Sequence, residues 1–281
     1  MDYYNRAKQF RTKKRLGQNF LIDANIINFI IEQANLNKND TVIEIGPGAG
    51  FVTEKLVQEA KKVVAVELDE DAIEVIKKLN ANNLEIIHND ILKVDLSQFG
   101  QNLKVVANIP YYITSPILAH LLGEIDDLNN ANRNCIDEII LMVQWEVAQR
   151  LVANENSPSK QFGLLSILSQ FYADVEILKK VPSKAFCPRP KVDSALVKLK
   201  VRKSPLLNLD DYTFFRKVIK ASFLSRRKNI KNGLCNAGFD KNAVIKTLEE
   251  LNINENTRGE MLSIEQFGEL SNVLKGNLCN K

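Results

Sequence analysis

The 281-residue chain predicts an α/β fold, a mostly parallel seven-stranded sheet with helices on both faces, followed by a small C-terminal all-helical domain. Three observations carry this prediction. Apolar runs of strand length alternate with helix-period segments through the first two-thirds of the chain. A glycine-rich turn, Gly46-Pro47-Gly48-Ala49-Gly50, follows the first strand of that alternation. After Arg202-Lys203-Ser204-Pro205 the strand signal stops and only helical periodicity remains.

The elements follow in order. Residues 24–35 place Ile26, Ile27, Ile30 and Ile31 on one helical face. Residues 41–45, 63–67, 84–88 and 103–107 are short apolar runs that predict buried strands, with helices over 51–60, 71–79 and 115–122. A fifth strand at 137–143 leads into a helix from Glu146, and residues 162–172 predict another helix. The last two strands, 175–178 and 194–201, lack room for a crossover helix between them and suit an antiparallel edge pair. The polar span 154–161, with Ser157-Pro158-Ser159, predicts a loop. Residues 212–224, 242–251 and 264–274 predict the helices of the second domain, so the boundary falls near 203–210 and divides the chain into 1–204 and 205–281.

Composition limits the function classes. With 45% hydrophobic and 26% charged residues the chain has the profile of a globular protein that builds its core without staples. Cys135, Cys187, Cys235 and Cys279 are scattered and the only histidines are His88 and His120, so no metal site is expected. No apolar run reaches the length of a membrane helix. The basic N-terminus lacks the apolar core of a secretory signal. A transit peptide is its rival reading, disfavoured because the basic run flows directly into Gly17-Gln18-Asn19-Phe20-Leu21. Charge is segregated: residues 1–20 hold six basic side chains against one acid, and residues 182–231 hold fourteen against three, although the net charge is only +4. Such segregation is the footprint of a nucleic-acid partner, or of two unrelated solvated faces.

The glycine turn removes Cβ atoms where a strand feeds a helix, so backbone can approach a ligand closely. Glycines at 46, 48 and 50 do not fit the dinucleotide fingerprint, whose third glycine would fall at Phe51, and this disfavours a nicotinamide enzyme. The alternating pattern resembles the first motif of class I S-adenosylmethionine methyltransferases, a Rossmann-like family. Glu67, ending the next strand, is placed to bind two ribose hydroxyls, or is a solvated strand-end acid. Asp90, after the third strand, is placed to accept from an adenine amino group with Asn89 or Ile91 flanking the ring, or to cap the following turn.

The fourth strand runs into Asn108-Ile109-Pro110-Tyr111, at the same carboxyl edge as the glycine turn. It resembles the (Asp/Asn/Ser)-Pro-Pro-Tyr motif of amino-group methyltransferases. The residue types suit methylation of an exocyclic amine, a poor nucleophile whose lone pair is delocalised into the ring. The Asn108 side-chain oxygen and the Ile109 carbonyl can accept its two hydrogens and hold it in line with the donor. Tyr111 can stack on the base and Pro110 stiffens the turn. The alternative is a strand end closed by Asn and Pro with surface tyrosines.

With these residues the sequence resembles the ribosomal RNA adenine dimethylases over nearly its whole length, and most closely the bacterial members that act on small-subunit RNA. The resemblance rests on Arg15-Leu16-Gly17-Gln18-Asn19-Phe20-Leu21, Glu44-Ile45-Gly46-Pro47-Gly48, Val66-Glu67-Leu68-Asp69, Asn108-Ile109-Pro110-Tyr111, the segment from Ala185-Phe186-Cys187-Pro188 to Val192-Asp193-Ser194, Ser222-Phe223 and Arg226-Arg227-Lys228. It implies S-adenosylmethionine as cofactor, S-adenosylhomocysteine as product, and N6,N6-dimethylation of two adjacent adenosines near the 3′ end of 16S RNA in an immature 30S subunit. It further implies that Asn19 and Leu21 join Gly46, Gly48, Glu67, Asp90, Ile91 and Asn108 around the cofactor. Phe186 is expected either to pack on a flipped adenine or to plug the edge of the core. Arg226, Arg227 and Lys228 fit phosphate contact or a solvated helix end. Trp145 departs from the pattern, where a basic or polar residue is expected. A cytoplasmic monomer is expected. The rival readings are a macrolide-resistance type dimethylase acting on 23S RNA and a non-catalytic RNA-binding assembly or transcription factor.

Overall fold

The computed structural model describes residues 2–10, 13, 17–224 and 228–279, apart from the Tyr111 side chain. Arg226 and Arg227 lie outside the described residues. The chain divides into two compact units, one over 1–123, 129–148 and 173–201, the other over 124–128, 149–172 and 202–281.

The first unit is built on nine strands: β1 (Phe20–Leu21), β2 (Thr41–Ile45), β3 (Lys62–Glu67), β4 (Leu84–His88), β5 (Leu103–Asn108), β6 (Ile136–Gln144), β7 (Ala173–Val181), β8 (Phe186–Cys187) and β9 (Ser194–Val201). Seven form one sheet in the order β4-β3-β2-β5-β6-β9-β7. The pairs β3/β4, β2/β3, β2/β5 and β5/β6 are parallel, and β9 runs antiparallel to both β6 and β7. The predicted seven-stranded, mostly parallel sheet with an antiparallel edge is the observed one. From β2 the chain moves outward through β3 to β4, then returns to the other side of β2 as β5. Strand order therefore reverses between β2 and β5, where a crevice opens at the strands' carboxyl ends.

Near-continuous apolar strands demand cover on both faces, and Val42, Ile43, Val63, Val64 and Ile139 are fully buried. The Ala24–Ala34 helix turns Ile26, Ile27 and Ile30 into the core and is capped by Asp23, whose carboxylate accepts from the Asn25 and Ile26 amides. Two features escape sequence periodicity because they are too short to show it. A one-and-a-half-turn helix, Tyr3–Lys8, precedes the basic run. The strands β1 and β8 form a separate two-stranded ribbon, Phe20 opposite Cys187 and Leu21 opposite Phe186.

In the second unit the C-terminal helices Tyr212–Phe223, Ile230–Asn236, Lys241–Glu250 and Ile264–Cys279 bury Phe215, Ile230, Leu234, Val244, Leu248, Phe267 and Leu274. The Ile230–Asn236 helix, with Gly233 inside it, has too little periodicity to be predicted. A single cut at 204/205 does not describe this unit, because the Leu164–Tyr172 helix belongs to it as well. Phe171 packs on Phe215 with ring centroids 5.5 Å apart. The Tyr172 hydroxyl donates to the Ile125 carbonyl at 2.7 Å. Phe171 and Tyr172 are among the largest fully buried side chains of the described residues, and their long-range contacts are invisible to local pattern.

Candidate active site

Within the first unit the crevice is a cleft of about 1250 Å³, open mouth included. It is lined by the β2 turn, the ends of β3, β4 and β5, and the segment Gly17–Leu21. Of the residues singled out in the sequence, Asn19, Leu21, Gly46, Gly48, Glu67, Asp90, Ile91, Asn108, Ile109 and Pro110 all line it.

Gly46, Gly48 and Gly50 all take left-handed φ, 66°, 54° and 75°, which side chains other than glycine rarely adopt. At Gly48 a Cβ would stand 2.9 Å from the Phe20 ring, and at Gly50 2.9 Å from Ile76 Cγ2. Position 48 is thus glycine because β1 closes over the loop, and position 50 because the Glu70–Lys77 helix, which follows β3, packs against it.

Glu67 is buried and fixes the loop's shape. One carboxylate oxygen accepts from the Gly48 amide at 3.1 Å, the other from the Leu68 and Asp69 amides at 2.8 and 2.9 Å. Burial raises its pKa despite these three backbone donors. Asp69, two residues on, caps the Glu70–Lys77 helix and also accepts from Lys13 Nζ and from Gln18 Nε2 at 2.6 Å. Burial alone would raise its pKa, but the Lys13 and Gln18 hydrogen bonds outweigh it and the group sits below its ordinary value. This anchor for the N-terminal segment was missed in the sequence, where Asp69 stands only as the last residue of Val66-Glu67-Leu68-Asp69.

The N-terminal helix reaches the same loop. Tyr3 packs on Phe51, ring centroids 4.7 Å apart. The Arg6 guanidinium lies 4.8 Å from the Phe51 ring centroid and pairs with Glu54. The basic N-terminal residues Arg6 and Lys13 are therefore spent on the fold of this unit.

At the end of β5 the Asn108 amide nitrogen donates to the Asn19 carbonyl at 3.2 Å, and the Asn19 side chain donates to the Gly17 carbonyl at 2.9 Å. Because the side-chain nitrogen of Asn108 faces the Asn19 carbonyl, the side-chain oxygen on the other arm of that amide does not. Ile109 is buried, and residues 111–113 form a 3-10 turn closed by the Ile113 amide on the Pro110 carbonyl at 3.2 Å. Asp90 lines the cleft and caps a 3-10 turn, accepting from the Leu92 amide at 3.0 Å, so the capping reading describes it and its place leaves the carboxylate beside the cleft. His88 is an exposed residue at the end of β4.

Phe186 does not join this constellation. It is 3% exposed, pairs with Leu21 across the ribbon and belongs to the hydrophobic core. Of its two readings the core plug describes it, because β8 is pinned against β1 and turns the ring inward. Lys228 is exposed on the second unit. Trp145 starts a helix where its amide donates to the Asp193 carbonyl at 3.0 Å and Lys180 Nζ lies 5.1 Å from its ring centroid, so its departure is met by a cation. Among the described residues no cluster of three or more potential metal ligands occurs, and no helix is long and apolar enough to cross a membrane.

One cleft residue was overlooked. Glu44, inside β2, is 3% exposed. Burial, with the nearby Glu67 charge, lifts its carboxyl to about 8, partly opposed by Thr53. The signal was present as a single acid in the apolar run Val42-Ile43-Glu44-Ile45, since an acid is almost never fully buried without a partner.

Comparison with known proteins agrees with this architecture. The family model for ribosomal RNA adenine dimethylase matches residues 9–275. A "Ribosomal RNA small subunit methyltransferase A" from Clostridium botulinum is 41% identical over 95% of both chains. A protein of the same name from Bacillus mycoides is 43% identical over 94% of this chain and 92% of its own. Among solved structures, a dimethyladenosine transferase from Plasmodium falciparum superposes with a TM-score of 0.74 at 28% identity, covering 89% of this chain and 95% of that one. The 23S rRNA methyltransferase ErmE superposes with a TM-score of 0.69 at 27% identity, covering 92% of this chain and all of that one. On the extent of the family match and the identity to these relatives, the chain belongs to the ribosomal RNA adenine dimethylase family.

Proposed function

We propose that the chain transfers methyl groups from S-adenosylmethionine to N6 of two adjacent adenosines near the 3′ end of 16S RNA in the small ribosomal subunit. The carrying observation is that a glycine cradle and the Asn108-Ile109-Pro110 turn line one cleft. The cleft suits such a cofactor: its loop leaves the half-buried Gly46 backbone free of a side chain, and the acid Glu44 lines its wall without a cation among the described residues acting on it. When bound, the cofactor supplies an electrophilic methyl group on a cationic sulfur.

The residues then divide the work. Gly46 and Gly48 let backbone approach the amino-acid end, Glu67 takes the ribose hydroxyls, and Asp90 and Ile91 hold the adenine. Asn19, Leu21 and Asn108 close the cofactor's other side. Asn108 Oδ1 and the Ile109 carbonyl accept the two N6 hydrogens of the target, which aligns the nitrogen and favours a localised lone pair. Tyr111 stacks on the flipped base, and Pro110 stiffens the turn. The methylated nitrogen is strongly acidic once charged, so no dedicated base is required. Arg226, Arg227 and Lys228 contact phosphates, making RNA affinity fall with salt. In this reading the second unit serves RNA binding.

The names of the relatives favour the small subunit. The likeness to ErmE keeps a 23S substrate as the second reading. Labelled methyl transfer to undermethylated ribosomal subunits separates the two, with mass spectrometry to locate the modified nucleotides. Label in small subunits at paired adenosines is expected, and label in large subunits alone would overturn the proposal.

A further inference from the structure

Glu44 stands apart from every other buried acid of the cleft. Its neighbours across the sheet are Ala65 on β3 and Val106 on β5, both apolar and buried. Ile30, Val52, Ile140 and Leu196 line the same cleft and bring no charge from the Ala24–Ala34 helix, the glycine loop, β6 or β9. The charged group that acts on Glu44 is Glu67, another acid, from the end of β3. Thr53, at the start of the Thr53–Glu59 helix, brings a hydroxyl. It favours the charged form, yet neither Thr53 Oγ1 nor Glu44 Oε2 completes a hydrogen bond. A carboxyl so placed is unstable as an anion and lacks any cation among the described residues that act on it. Glu44 nevertheless lines an open cleft, where the charge of a cationic ligand seated beside the carboxyl would favour its ionised form.

Resting on the cofactor reading above, we propose that ligand binding in this cleft is proton-coupled through Glu44. The carboxyl is protonated in the empty cleft and ionises when a cationic centre of the ligand seats beside it, so each binding event releases one proton to solvent. The oxygen–hydrogen bond of the Glu44 carboxyl breaks, its electron pair stays on the carboxylate, and buffer takes the proton. Two centres could act: the α-ammonium, common to S-adenosylmethionine and S-adenosylhomocysteine, and the sulfonium, present in the methyl donor alone. If the sulfonium acts, the cleft separates donor from product by charge, and loss of the methyl group leaves Glu44 to take a proton back.

The test is titration calorimetry on the full chain in two buffers of different ionisation enthalpy, which counts protons released per ligand bound. With a carboxyl near 8, close to one proton per site is expected at pH 7. Affinity should tighten by about tenfold per pH unit below 8 and level off above it. Release with both ligands assigns the ammonium, and release with the donor alone assigns the sulfonium. Glu44→Gln, which copies the neutral carboxyl in size, should bind with no proton release and no pH slope. Binding without proton release in the wild type, or an unchanged proton count in Glu44→Gln, would overturn the proposal. Absence of binding by either ligand would instead remove the cofactor reading on which it rests. The wild-type proton count stands even if the variant fails to fold.

Discussion

Glu67, at the rim of the cleft where β3 ends, and Glu44, on its wall inside β2, are both held above the ordinary carboxylate range by burial, but their surroundings are opposite. At the rim, three backbone amides converge on Glu67 and the carboxylate serves the protein, holding the glycine loop and the start of the next helix in shape. On the wall, Glu44 has an oxygen with no partner, so ionising it in the empty cleft would cost the fold stability. The difference teaches how one cleft separates tasks. A partnered acid builds the site, and an unpartnered one waits for what enters it.

The largest expected effect lies on the ligand side of that division. Asn108→Ala removes the amide oxygen proposed to hold N6 and should lower methyl transfer by at least about a thousandfold, roughly 4 kcal/mol. Its thermal midpoint should barely change, since the hydrogen bond lost with the half-buried side chain, to the Asn19 carbonyl, is a long one of 3.2 Å. Wild-type transfer rates in that variant would dismantle the clamp.

Glu44→Gln tests the wall. The wild-type carboxyl titrates near 8 when folded and in the ordinary acid range when unfolded, so the unfolded chain loses its proton first as pH rises. Folding stability therefore declines from about pH 5 to about pH 8 and levels beyond it, by up to about 4 kcal/mol. The variant should lack this decline and be the more stable protein at pH 9, while the two match near pH 5. Parallel urea-denaturation profiles across that range would show that Glu44 is not buried as a neutral acid.

Gly50→Ala probes the loop's shape independently of charge. The left-handed φ and the 2.9 Å approach of Ile76 Cγ2 should together cost about 2–4 kcal/mol in denaturant unfolding. An unaffected midpoint would mean that the helix beneath the loop yields easily.

Glu67→Gln should have the smallest effect, about tenfold weaker cofactor binding with about 1 kcal/mol of lost stability, because one oxygen acceptor survives. Calorimetric affinity equal to wild type would confine Glu67 to the structural half of the comparison.

Local sequence determined much of this molecule. The seven-stranded sheet was legible because buried parallel strands are near-continuous apolar runs, such as 63–66 within β3 and 139–143 within β6. The glycine loop and the Asn108 turn were legible because left-handed φ and an X-Pro step impose residue types at single positions. Tertiary structure alone decided the rest. It joined Leu21 to Phe186 across more than 160 residues and so turned the Phe186 ring into the core. It moved the Leu164–Tyr172 helix into the second unit through Phe171 and Phe215. It tied Gln18 to Asp69 and left one Glu44 oxygen without a partner, distinctions that sequence cannot carry because an acid's role depends on which donors reach it. Residue type and local conformation are properties of the neighbouring chain, whereas partnership and burial are properties of distant segments brought together.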